Sequence, residues 1–90
     1  MNSVITGGYK LVAATGNVSP IATDLLGIFV SAASSTPTIT IYDSATTTTT
    51  AKIIDTFTPV AATYYTIPAS TTAGLYVVIG GTVSATVFFG

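Results

Sequence analysis

Histidine, cysteine, tryptophan, glutamate, glutamine and arginine are all missing from this 90-residue chain, and only Lys10, Asp24, Asp43, Lys52 and Asp55 carry charge. Catalytic sites need groups that titrate, attack or bind a metal near neutral pH. The many Ser and Thr hydroxyls have no histidine or similar base to activate them, so nucleophilic catalysis is not expected. There are no thiols to form a disulfide and no Cys/His set to hold a structural zinc. A net charge of −1 leaves no basic patch to displace counterions from phosphates, which argues against nucleic-acid binding. Long apolar runs are missing too. Residues 25–30 and 75–79 stop at Ser31 and Gly80, well short of the roughly 20 residues that a membrane-spanning helix needs. Residues 1–8 hold no basic cluster followed by an apolar stretch, so no secretory signal and no membrane association are expected.

What is present is β-forming. Thr, Val, Ile, Tyr and Phe dominate, in short runs divided by Ser, Thr, Pro and Gly clusters every eight to twelve residues or so. The runs are 9–14, 25–33, 38–43, 52–57, 64–67, 75–80 and 83–89. In 38–42, Ile39 and Ile41 alternate with threonines, as in a strand with one wet face. Residues 75–79 lack polar partners and read as a central strand covered on both sides. Ser34-Ser35-Thr36-Pro37 reads as a turn, and Gly80-Gly81 as a turn or bulge that admits positive φ. Residues 46–50, all threonine, read as an exposed hairpin loop after Asp43. Pro20 and Pro68 argue against strand interiors at their positions. The expectation is an all-β chain: a single antiparallel β-sandwich over residues 1–90, jelly-roll-like, with about seven to eight strands. Residues 1–20, punctuated by Gly and Ser, read as a partly extended N-terminal arm that orders on binding.

Few residues are candidates for a site. Asp43 and Asp55 flank one hairpin and could form an acid–base pair or part of a calcium site. Calcium wants six to eight oxygens, however, and glycoside hydrolysis wants a cleft with aromatics. The competing expectation is a turn-capping Asp43 and an Asp55 paired with Lys52. Tyr64-Tyr65, with Tyr42 and Tyr76, could offer an aromatic platform to a sugar ring, or could pack as ordinary sheet tyrosines. Phe88 and Phe89 are adjacent in a strand and must point to opposite faces, so one lies outside the core unless something else covers it. Tyr64, Tyr65, Phe88 and Phe89 are therefore the candidate contact residues. No catalytic, cofactor-binding or metal-binding residue is expected.

Soluble domains usually guard sheet edges and surfaces with charge. With two lysines in the whole chain, the exposed faces must be Thr, Ser, Ala and apolar side chains, which marks contact surface. A small domain without staples also gains stability by association. Both arguments favour a homo-oligomer or a subunit of a larger assembly.

Residues 28–38 (Ile28-Phe29-Val30-Ser31-Ala32-Ala33-Ser34-Ser35-Thr36-Pro37-Thr38), with Ile41-Tyr42-Asp43, open a recognisable succession. Ile53-Ile54-Asp55-Thr56-Phe57-Thr58-Pro59 and Tyr65-Thr66-Ile67-Pro68 follow, and Gly74-Leu75-Tyr76-Val77-Val78-Ile79-Gly80-Gly81-Thr82 closes it. Over residues 26–89 this resembles a family of small virion proteins encoded by tailed bacteriophages. The resemblance implies a β-sandwich on the capsid exterior, a decoration or cement protein, often trimeric, whose partner is the major capsid protein. It carries over no functional residue. A carbohydrate-binding module for host attachment and a tail or neck component are the alternatives.

Overall fold

The computed structural model describes residues 8–90, and every regular element in it is a strand. These are β1 (Gly8–Val12), β2 (Gly16–Ser19), β3 (Asp24–Tyr42), β4 (Lys52–Phe57), β5 (Thr63–Ser70) and β6 (Leu75–Phe89). The all-β, antiparallel expectation is met. The strands form one continuous hydrogen-bonded sheet that curls on itself, rather than two separate sheets.

Two long strands organise it. β3 and β6 run antiparallel from the Leu25–Phe89 pair to the Tyr42–Tyr76 pair. Four short strands flank them: β1 and β2 lie along β6, while β5 and β4 lie along β3. One half of the sheet therefore reads β1-β6-β3-β5 and the other β2-β6-β3-β4. Between the halves, Ser34 pairs with Thr82 and Thr38 with Gly80, so three residues of β3 stand against one of β6. Thr36 (φ 48°) and Gly81 (φ 74°) take left-handed backbone there. Such a bulge bends a strand and increases its twist without ending it. This is why the expected turn at 34–37 lies inside β3, and why Gly80-Gly81 lies inside β6. Four of the seven sequence runs join in pairs across the bend, which leaves five strands, and β2, which matches no run, makes the sixth.

Inward side chains from both halves meet in one core. Leu25, Ile28, Val30, Ile39, Ile41, Leu75, Val77, Val83, Ala85 and Val87 are buried, joined by Val12 and Val18 from the flanking strands. Full burial of residues such as Leu25, Ile41 and Val87 requires cover that a flat sheet cannot give, so the two halves face each other. Phe57 of β4 and Tyr65 of β5, from opposite halves, meet edge to face at 5.3 Å between centroids.

Two expectations are corrected here. Residues 8–12 and 16–19 belong to the sheet as β1 and β2 and are not a free arm; residues 1–7 of that segment lie outside the described residues. β2 escaped the sequence reading because Gly-Asn-Val-Ser carries a single apolar residue. Pro68 sits within β5, an edge strand, opposite a register shift between Leu25 and Gly27 where its missing N–H breaks no ladder.

Candidate interaction face

Strand alternation places two cross-strand rows on the outer side of the β1-β6-β3-β5 half. One row is Tyr9, Phe88, Gly27 and Thr66; the next is Leu11, Thr86, Phe29 and Tyr64. Their sequence neighbours Val12, Ile28, Val30, Ala85 and Val87 point the other way, into the core. The outward set is apolar yet open: Tyr9 is 74% exposed, Leu11 62%, Phe29 39% and Tyr64 49%. Tyr64 reaches across the sheet and meets Phe88 edge-on, with ring centroids 6.1 Å apart. Gly27 makes room for it. A Cβ on Gly27 would run into the Tyr64 phenol and come within 2.8 Å of the Tyr65 carbonyl oxygen.

Of the four contact residues expected from sequence, the structure brings two together here, Tyr64 and Phe88. Tyr65 and Phe89 turn inward and pack against the core. The Tyr65 hydroxyl oxygen accepts the Val60 backbone N–H at 2.9 Å. Tyr9, Leu11 and Phe29 were missed. Tyr9-Lys10-Leu11 does alternate, which was a usable signal. Phe29 lies in an unbroken apolar run where no alternation shows which way it points.

The outer side of the β2-β6-β3-β4 half differs. Its Thr40 and Tyr76 are only 5% and 8% exposed, because the chain covers them itself. The Thr40 and Thr56 hydroxyls are bonded at 2.6 Å, and Tyr42 lies against Tyr76 with centroids 6.1 Å apart. Asn17 Nδ2 donates to the Ser44 and Thr46 carbonyls at 3.1 and 3.3 Å. Thr15 Oγ1 both accepts from the Ile79 N–H and donates to its carbonyl. The four tyrosines proposed as a sugar platform do not converge: Tyr64 is on one outer side, Tyr65 points inward, and Tyr42 and Tyr76 lie on the other half.

None of the few charges lies in either row of the open face. Lys10 bends along the edge, its Nζ donating to the Asn17 carbonyl at 3.0 Å. Lys52 and Asp55 on edge strand β4 form an exposed ion pair at 3.0 Å. Charges on edge strands discourage edge-to-edge pairing. Asp24 Oδ1 accepts from the Ser70 hydroxyl at the strand end.

Asp43 is fully engaged. Its Oδ2 accepts from the Thr72 N–H (2.9 Å) and hydroxyl (3.0 Å), and its Oδ1 from the N–H groups of Ala73 (2.8 Å) and Gly74 (3.2 Å). The Thr72 amide, then the Ala73 amide, lower its pKa from 3.8 to about 2; desolvation opposes this, and Gly74 N–H and the Thr72 hydroxyl add to it. Donors on every side favour the ionised form. Asp43 thus ties the start of the β3–β4 loop to the β5–β6 loop. Asp55 bonds Lys52, so the two aspartates do not act together. Among the described residues no group of three or more potential metal ligands occurs, and no helix is long and apolar enough to cross a membrane.

The fold and surface together describe an all-β protein with one closed face and one open aromatic face. No protein-family model, curated protein or solved structure matches the chain.

Proposed function

We propose that this protein is a structural component of a tailed-phage virion, a capsid decoration or cement protein that stabilises the head by covering junctions between capsid subunits. The observation that carries this reading is the open, uncharged face formed by Tyr9, Leu11, Phe29, Tyr64 and Phe88 on a chain with almost no charge elsewhere. Apolar patches of this kind mark contact surfaces in soluble proteins. The resemblance of residues 26–89 to tailed-phage virion proteins supplies the assembly. The mechanism is adhesion. Each copy contributes a modest contact, and repetition on a lattice makes modest contacts persistent through high effective concentration. The threonine loop 46–50 is exposed and suits the outside of a particle.

The test is reconstitution. Particles that lack the protein are mixed with increasing amounts of the purified chain. Saturable binding in a fixed ratio to the major capsid protein, with a higher temperature of head disruption, is the expected result. Binding confined to tails, or no binding, overturns the capsid assignment.

A further inference from the structure

We propose that the open face of the β1-β6-β3-β5 half is the site where a second copy of this chain docks, giving a two-fold dimer. This rests on the reading of the protein as an adhesive subunit and names the occupant of its open face.

Area is the first argument. Taking roughly 200 Å² for a whole large side chain, the exposed fractions of Tyr9, Leu11, Phe29 and Tyr64 leave about 450 Å² per copy. Two copies face to face would cover about 900 Å² from these four side chains alone, and the surrounding Thr66, Thr86 and Phe88 bring the total near the roughly 1,200 Å² at which specific interfaces begin. The face is large enough for a dimer of moderate affinity and too small for a permanent one.

Charge is the second. Neither row carries an ionisable group apart from the tyrosine hydroxyls, and Lys10, the nearest cation, is held at the edge by the Asn17 carbonyl. Burying the face therefore strands no charge, and the surface that matches it best is equally uncharged and aromatic. This chain presents such a surface itself. The tyrosine and phenylalanine edges can interleave as offset or edge-to-face pairs, as Tyr64 and Phe88 already do within one copy.

Symmetry follows from the difference between the two outer faces. A patch that pairs with itself closes on a two-fold axis, whereas a trimer needs two different complementary patches. The outer side of the other half is occupied by its own Asn17, Thr15 and Thr56 bonds. The guarded edges at Lys10 and Lys52–Asp55 resist strand addition. A dimer, in place of the trimer that the family resemblance implies, is what this surface distribution favours. A second copy and the capsid lattice then compete for this face, and the dimer is the state of the protein off the particle.

The test is sedimentation velocity and equilibrium on the isolated full-length chain across a wide concentration range, with no particle present. The expected result is a monomer–dimer equilibrium with a micromolar dissociation constant. Leu11→Lys should raise that constant about tenfold or more by placing a charge in the buried face. Thr48→Lys, in the exposed loop of the other half, should leave it unchanged, and circular dichroism should show both variants folded. Tyr9→Lys, at the most open position, serves if Leu11→Lys fails to fold. A monomer at every concentration, a closed trimer, or a dimer indifferent to the face substitutions would overturn the proposal. Failure here leaves the virion reading to stand or fall by reconstitution, since the two experiments share no component but the chain.

Discussion

Gly74→Ala is expected to lower stability by about 3 kcal/mol, the upper range for forcing an extra methyl into packed structure. A Cβ at this position would sit 2.5 Å from the Ser19 carbonyl oxygen, 2.6 Å from the Ser44 carbonyl oxygen and 2.7 Å from Ala45 Cα. All three are backbone atoms, from two different segments, and none can rotate aside. Relief must come from moving the β5–β6 loop, which also carries the donors to Asp43. Thermal melting of the purified variant should show a midpoint lower by more than roughly 10 °C, given about 4–8 °C per kcal/mol for a domain this size. A midpoint within a few degrees of the parent would show that the loops pack more loosely than described. The rest of the segment from Gly74 to Gly81 likewise serves packing and backbone geometry. Leu75 and Val77 fill the core, Gly80 faces Thr38 Oγ1 closely, and Gly81 holds the left-handed turn of the bulge.

Asp43→Ala should cost about 2–3 kcal/mol, because it leaves the amides of Thr72, Ala73 and Gly74 without their ionised acceptor. Its signature is pH dependence. The folded-state pKa of about 2 lies below the ordinary 3.8, so the folded state favours the carboxylate. That stabilisation is fully present above about pH 4, declines as pH falls towards 2, and is gone once the folded carboxyl is protonated. Urea melts of the parent should therefore weaken across this window. The Asp43→Ala variant should start lower and show a flatter acid limb. Asp55→Ala, which breaks the exposed pair with Lys52 and an exposed local bond from the Thr56 N–H, should leave the midpoint nearly in place. If Asp43→Ala and Asp55→Ala behaved alike, the loop-tying role of Asp43 would be wrong.

The legible parts of this fold are those governed by period two. Ile39 and Ile41 are buried as their alternation requires, and Leu75–Val77 lie in a strand flanked on both sides. The opposite orientations of Phe88 and Phe89 also follow from adjacency. What sequence did not disclose depends on contacts distant along the chain. Asp43 reads as a local turn residue, yet it caps a loop 29 to 31 residues away. Thr40 reads as a wet threonine, but its hydroxyl is bonded to Thr56 and buried. The Ser-Ser-Thr-Pro segment has the composition of a turn and the hydrogen bonding of a bulged strand, because its partner β6 carries a glycine at the matching point. The open face was half legible for a related reason. Tyr64 and Phe88 belong to doubled aromatics whose parity is plain, whereas Phe29 becomes a surface residue only once bulges fix which side of β3 faces out.

The proposed capsid role makes this chain a repeated structural subunit of the particle. Quantitative mass spectrometry of density-purified virions from the native source tests it most directly, by the ratio of this chain to the major capsid protein. A ratio corresponding to hundreds of copies per particle is the predicted result. A handful of copies would place the protein at the tail or neck, and its absence from the particle would contradict the account outright.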